Sequence, residues 1–572
     1  MYTLIAVATL QKKVSRGRTY WQIVESRRVN GKPRPIVLEH LGSAEKLLQR
    51  LRDSPTRPAK AKVIQFGALA ALWQIAQELD VVGLIDAQVP KRDQGLSCGQ
   101  YLLLAALNRC VAASSKASLY QWYRCTVLNR LLPTAQRSLA SQRFWDHMNM
   151  LDSAAIGAIE QQLAQRVIDH YRIDLRPLIF DATNFDTFID SRTVSALAQR
   201  GHAKSKRADL RILGLALLVS CDYHIPLLSH PYPGNQNDAA MFSSLIETLI
   251  SRCKQLAQDC EDVTLVFDGG NTSRANIEAL QAGPYHFVTS LTVTQHEDLL
   301  AVPASRFHSF ADPRLAGVTA YRSAKEIWGE RRTVVVTNSR RLLDGQLAGI
   351  NHALRKKRAA LRALRRKLAR SQLPGAKGKG YSRASLQKHF DTITSGQYVK
   401  QILKVQISES DGVLSFRFRT DWAAYQRLQR RRLGKRILCT DNESWSDQDI
   451  ILASRAQHHV ERAFKQMKNP HWVSFSPAFH WTDQKLRVHV FYCVLALLLS
   501  SLLQRKAAHG GHLLTIEQLL AELSGVTEVV NLYAAPEPAT RGRYRAQYVL
   551  SERSSLQDKL CRLLDVYRHA HP

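Results

Sequence analysis

Two apolar runs that each close on an aspartate constrain this chain more than any other feature. They are Leu178-Ile-Phe-Asp-Ala-Thr and Val263-Thr-Leu-Val-Phe-Asp-Gly-Gly. A run that is apolar at every position, rather than at alternate ones, fits a strand covered on both faces. Each strand is expected to end on its acid, Asp181 or Asp268. A third apolar run, Ile212 to Cys221, is followed by Ile225-Pro-Leu-Leu. Helix-like segments then run from Asp238 to about Leu256 and from Ser273 to Leu280, and His286-Phe-Val-Thr-Ser-Leu reads as another strand. Strands separated by helices predict an α/β core. Such sheets gather ligands at their carboxyl edge, which makes Asp181 and Asp268 candidates for chemistry.

With 572 residues the chain exceeds one core, and roughly two to four domains are expected. Residues 1–60 hold strand-like runs around an Asn30-Gly31 turn, and Pro55 to Lys62 reads as a basic linker. Residues 61–170 have helical periodicity, with Arg109, Lys116, Arg124, Arg130, Arg137 and Arg143 placed to face DNA or simply to line solvated helix faces. The α/β core occupies 171–292 and returns at 446–510. Between them, 293–445 reads as an insertion with strands and a helix from Leu347 to Arg370 that is basic on nearly every face, followed by a flexible stretch from Pro374. A helical region, 511–572, ends the chain.

The charge points to the partner. Lys and Arg number 80 against 48 acids, a formal net charge of +32. A compact protein with that excess is self-repelling, and nucleic acid relieves the repulsion because each neutralised phosphate releases counterions. The nine cysteines include no Cys-x-x-Cys pair, which speaks against a zinc ribbon or a secreted disulfide scaffold. The apolar run Val490 to Leu503 is short for a membrane span and reads as a buried helix. A cytoplasmic protein without membrane contact is expected. No Gly-x-x-x-x-Gly-Lys-Ser/Thr loop and no His-Glu-x-x-His occurs, so an ATP-driven motor and a zinc hydrolase are disfavoured.

A third acid, Glu461, falls on a helix expected from Ile450 to Lys468, N-capped at Ser446. Arg462, Lys465 and Lys468 surround it, and Lys468, seven residues on, shares its face. Carboxylates suit hard cations such as Mg²⁺. Two such ions roughly 3.5–4 Å apart can clamp the attacking and leaving oxygens of a phosphodiester. Either aspartate alone is ordinarily a strand-end turn residue. Strand, strand and helix acids in series in so basic a chain favour the catalytic alternative.

The chain resembles the DDE transposases of bacterial insertion sequences, in the branch with a β-rich insertion before the final glutamate. The matching segments are Phe180-Asp-Ala-Thr-Asn-Phe, Tyr232-Pro-Gly-Asn-Gln-Asn-Asp, Val266-Phe-Asp-Gly-Gly-Asn, Val460-Glu-Arg-Ala-Phe-Lys-Gln-Met-Lys, Pro477-Ala-Phe-His-Trp and Lys485-Leu-Arg-Val-His-Val-Phe-Tyr-Cys. Ser26-Arg-Arg-Val-Asn-Gly-Lys-Pro-Arg-Pro adds an N-terminal match. The resemblance implies an RNase H-like core, with the first acid on the first strand, the second just after the fourth, and the glutamate on a late helix. It implies Asp181, Asp268 and Glu461 as catalytic metal ligands, two Mg²⁺ ions with Mn²⁺ able to substitute, and cleavage and strand transfer at the element's inverted repeats. A homodimer bridging two ends, acting at the bacterial nucleoid, follows by the same likeness. The family signature around the glutamate places a Tyr and an Arg where this chain has Ser454 and Gln457.

Six positions are candidates for DNA contact. Asn184 could order substrate or cap a turn. Arg207 belongs to a basic cluster with Lys204, Lys206 and Arg211. Lys465, Lys468 and Arg462 accompany the glutamate and would hold DNA phosphates. Trp328 is the candidate to stack on a flipped base, with a packed core tryptophan as the alternative. A nuclease of the same fold and a domesticated DNA-binding protein are the competing functions.

Overall fold

The computed structural model describes the chain apart from residues 1–7, 30–31, 54–56, 90–94, 237–241, 243–244, 246–262, 272–273, 282–284, 376–379, 411, 535–543 and 572. The Asn30-Gly31 turn, most of the expected helix after Asp238 and part of the stretch after Pro374 lie outside the described residues. The chain divides into two compact units: Met1–Gln74, Ser118–Arg137 and Lys506–Pro572 in the first; Ile75–Ala117 and Ser138–Arg505 in the second. The helical region expected at 61–170 is therefore shared between them.

The first unit contains two small antiparallel sheets. Ala8–Ser15, Arg18–Val29 and Lys32–Gly42 form a meander in which Val29 pairs with Lys32 on either side of the Asn-Gly step. Lys60–Gln65, part of the expected linker, is a strand paired with Thr527–Ala534, which also pairs with Tyr544–Leu550. The C-terminal region is thus not purely helical. The first of its two strands finds one of its partners more than 400 residues upstream, a pairing that local periodicity does not reveal.

The second unit is built on a nine-stranded sheet. In chain order its strands are β1 (Pro177–Thr187), β2 (Arg211–Ser220), β3 (Pro226–Pro233), β4 (Thr264–Phe267), β5 (His286–Leu291), β6 (His308–Ser309), β7 (Val318–Ile327), β8 (Glu330–Ser339) and β9 (Lys435–Thr440). Their spatial order is β6-β7-β8-β9-β5-β4-β1-β2-β3. β1, β4 and β5 are mutually parallel, and the remaining neighbours are antiparallel. β8, antiparallel to β9, runs the same way as β5. The central strands are apolar because helices cover both faces; every β2 residue after Arg211 is buried.

The segment expected as an insertion contributes four strands to this sheet. It also carries its own core, in which helix α1 (Arg340–Ser371) packs Ile350, Leu354, Leu361, Leu364 and Leu368 against Phe390, Phe416 and Leu428. The helix is therefore amphipathic, not basic all round: its leucines recur three, four or seven residues apart, and the arginines occupy the remaining faces. The helix expected from Ile450 to Lys468 is two, α2 (Asp447–Ala456) and α3 (His458–Met467), parted at Gln457. Ser446 caps α2 through a reciprocal bond with Asp449. Helix α4 (Asp483–His509) is long and apolar enough to cross a membrane, but 94% of its most apolar stretch is buried in the protein. It is a core helix, which fits the sequence reading.

Candidate active site

Asp181 is not at a strand end. β1 continues six residues further, because β2 still pairs with it, Asp181 opposite Leu217 and onward to Thr187 opposite Arg211. What ends near Asp181 is the neighbour on the other side. β1 and β4 pair in parallel at Ile179 and Val266, and β4 stops at Phe267. Continuing that register by two residues brings Asp268 beside Asp181. Neighbouring strands are about 4.8 Å apart, so the two carboxylates flank one notch at the carboxyl edge of β4. Asp268 is exposed. One of its oxygens accepts from Gly269 N at 2.8 Å and from Ser290 Oγ of β5 at 3.4 Å. Glycine is required at 269: a Cβ there would stand 2.5 Å from the Ser290 carbonyl oxygen.

Side chains two residues apart on a strand share a face, so Asp181, Thr183 and Phe185 point the same way. Lys468, just past α3, donates to Thr183 Oγ1 at 2.7 Å and lies 5.3 Å from the Phe185 ring centroid. At the other end of α3, the His459 ring stacks on His224, in the β2–β3 connection beside the amino end of β1. α3 therefore runs along β1 on the face that carries Asp181. Val460, Ala463, Phe464 and Met467 are its buried residues. Glu461, Lys465 and Lys468, spaced by four and three, form an adjacent exposed stripe. Glu461 lies about 10 Å back from Lys468 along the helix, and Asp181 about 7 Å back from Thr183 along the strand.

The three acids do not form a closed cage. Among the described residues, no group of three or more His, Cys, Asp or Glu is close enough to hold a metal ion. The Asp268 carboxylate is drawn toward Ser290, away from β1.

Positive charge borders the notch. Lys204 Nζ donates to the Ala182 carbonyl at 2.8 Å. Loss of water, then the neighbouring Lys204, lowers the Lys468 pKa, against the opposing pull of Asp186 and Asp181. Burial, then the charges of His459, Arg462 and His458, holds His224 at about 3.

The other sequence candidates divide. Asn184 ties down the loop after β1: it donates to His202 O at 3.0 Å and accepts from Lys204 N at 3.0 Å. Ser205 fastens the same loop to Asp186 at 2.8 Å. Arg207 is exposed but paired with Asp209 at 2.6 Å. Lys465 and Arg462 are exposed on α3. Trp328 is not at the site. With Gly329 it forms the two-residue turn between β7 and β8, at φ 54° and 87°, values that suit a tight hairpin. That turn lies at the amino edge of the sheet, where Trp328 packs on Phe287 and beneath the Arg332 guanidinium. Of the helical-region cations, Arg109 and Lys116 are buried, so neither faces DNA. Sequence reading passed over Thr183; its period-two relation to Asp181 would have picked it out.

Comparison with known proteins identifies the family. Residues 174–499, more than half of the chain and all nine strands of the sheet, match the family described as the transposase DDE domain. The chain belongs to the DDE transposases of bacterial insertion sequences. Residues 8–62 of the transposase match the IS1634 family transposase N-terminal domain. The transposase therefore acts on DNA, in a family that uses divalent metal ions, generally Mg²⁺. No curated protein matches it. A solved structure similar to it is the piggyBac transposase in a synaptic complex with hairpin DNA, with a TM-score of 0.37, 8% identity and 82% of each chain covered. A likeness that loose locates no residue.

Proposed function

We propose that Asp181, Asp268 and Glu461 are the catalytic triad of this transposase, and that they cut the ends of its element and join them to a target. The observation that supports the reading is the β1–β4 register, which, continued two residues past its last pair, brings Asp268 beside Asp181 on the strand that α3, the helix bearing Glu461, packs along. The donor set suits the group implied: oxygen ligands only, at an exposed edge, as Mg²⁺ or Mn²⁺ requires. When bound, two such ions supply Lewis-acid stabilisation to the entering and leaving oxygens. The chain's own part is positional. Asp181 is fixed by ladder bonds on a buried strand, and Asp268 by Gly269 and Ser290. Lys468 and Lys204 bring positive charge to the side of the notch where a scissile phosphate would lie, with Lys465 and Arg462 continuing it along α3.

The strand order β5-β4-β1-β2-β3, antiparallel on one side of β1 and parallel on the other, supports an RNase H-like core. The partners are the double-stranded inverted repeats and target DNA, engaged by a homodimer in the bacterial cytoplasm. The test is incubation of the full chain and Mg²⁺ with DNA carrying the element's own flanks, followed by mapping of nicks and joints. Cleavage at the ends that is lost in Asp181→Asn, Asp268→Asn and Glu461→Gln, with binding retained, is expected. Full cleavage by any of the three removes that residue from the site.

A further inference from the structure

Beside the exposed stripe of α3, on the same face of the sheet, lies a groove of about 840 Å³ lined by Arg314, Arg341, Arg436, Arg455, Arg462 and His458 and, among the described residues, by no acidic one. The cations come from separate elements: Arg341 from the first turn of α1, Arg436 from the start of β9, Arg455 from α2 and Arg462 from α3. Arg314 is neutralised by Asp312 at 2.6 Å. The other four arginines have no ion pair among the described residues. Arg455 is half-buried and spends one guanidinium bond on the Arg314 carbonyl at 2.6 Å. Burial, then the like charges of Arg436 and Arg341, lowers its pKa. Four cations held around one groove repel one another, and an anion is the simplest counterweight. The groove also opens at the correct edge: Ser339 ends β8 and Lys435 begins β9 at the same carboxyl edge as Asp268. Ser454, which stands in the family's tyrosine position, lines the groove too.

The geometry points to this groove as a track for the phosphodiester backbone of duplex DNA, leading to the acid-bearing notch, with Arg341, Arg436, Arg455 and Arg462 as its phosphate contacts. It rests on the transposase reading and deepens it. The insertion then has a role that its own separate core does not explain: it delivers Arg341, and β9 delivers Arg436, to a site that α2 and α3 complete. Guanidinium is suited to the work because its planar fork pairs with two phosphate oxygens and is weakly hydrated.

The test uses the full chain and a duplex of unrelated sequence, because backbone contacts are blind to sequence. Affinity is measured across a series of salt concentrations for the natural chain, for the R341Q/R436Q pair and for the R341K/R436K pair. Both positions are exposed, and the unfolding midpoint of each variant is recorded alongside. Each phosphate contact contributes about 0.9 to the slope of log affinity against log salt. The glutamine pair is expected to lower that slope by about 2 and the lysine pair to restore most of it. If the glutamine pair does not fold, R341Q alone is expected to lower it by about 1. A slope unchanged by the glutamine substitutions overturns the inference. Mg²⁺-dependent cleavage by the natural chain, scored in parallel, keeps that result separate from failure of the triad: cleavage with an unchanged slope refutes the groove alone.

Discussion

The two edges of the large sheet differ in what they ask of their side chains. At the carboxyl edge of β4 and β5, Asp268 is exposed, glycine is required next to it, lysines stand close by, and the arginine groove opens with no acid among its described lining residues. At the amino edge, the β7–β8 turn folds Trp328 back on Phe287 and Arg332, and His224 is buried against His459. The first edge leaves charges unbalanced and presents them to solvent; the second neutralises or buries its polar groups. Unbalanced charge costs stability in the free protein, so its concentration at one edge marks where a charged ligand is to be met. Both edges carry residues that look functional in the sequence. Only the partner strands separate them.

The sharpest way to break the comparison is to remove a carboxylate from each face of the notch. Asp181→Asn and Asp268→Asn should each reduce Mg²⁺-dependent end cleavage by at least about a thousandfold, because several kcal/mol of charge stabilisation is lost at tenfold per 1.4 kcal/mol. DNA binding should persist in a gel-shift titration. A variant retaining more than a tenth of the natural rate would move the site elsewhere.

A smaller effect is expected at Lys468. Lys468→Met removes a charged hydrogen bond to Thr183 and should slow cleavage by about ten- to a hundredfold, measured as single-turnover rate. Unchanged cleavage would make the lysine a purely structural tie between α3 and β1.

The amino edge supplies the contrast. Trp328→Leu should leave the cleavage rate within about twofold, while lowering stability by about 1 kcal/mol through the lost ring contacts. A large loss of cleavage at unchanged unfolding midpoint would return Trp328 to the active site.

The mildest prediction concerns the interior behind both edges. Burial, then the charges of Lys116, Arg109 and Lys485, holds His480 down at about 3, and burial, then the charge of Arg109, lowers His489 well below its usual value. Both stay neutral in the folded chain, whereas the unfolded chain protonates them near about 6.5. Their contribution is complete above that value and is lost progressively as pH falls toward about 3. Urea unfolding midpoints should therefore decline below about pH 6.5, and His480→Gln should flatten the decline. An equally steep decline in the variant would assign the acid sensitivity to other groups.

How far the sequence could be read follows from the same physics. The strands around Asp181 and Asp268 were legible because central strands covered on both faces need apolar side chains at every position. The extension of β1 through Asn184 and Asp186 was not: there the polar residues alternate to meet a loop distant from them in the sequence, at His202 to Ser205. The pairing of β1 with β4, which brings two acids 87 residues apart onto and just past neighbouring strands, is likewise a product of the fold. The amphipathic stripe of α1 was present in the sequence but masked by the number of its arginines. Trp328 shows the opposite failure. Its aromatic character was visible, while the turn that directs it to the wrong edge depends on backbone angles that Trp and Gly adopt together. Glu461 was legible mainly by family likeness, since an exposed glutamate among basic residues is ordinary on any helix.

The most direct measurement of the central claim replaces Mg²⁺ with Fe²⁺ in the full chain bound to duplex DNA and maps peroxide-driven backbone scission, which occurs only near the bound ion. Scission clustered at three separate segments, around residues 181, 268 and 461, is the predicted result. Scission that omits any one of the three, or that centres on the amino-edge turn around 328, would contradict a shared metal site at the carboxyl edge.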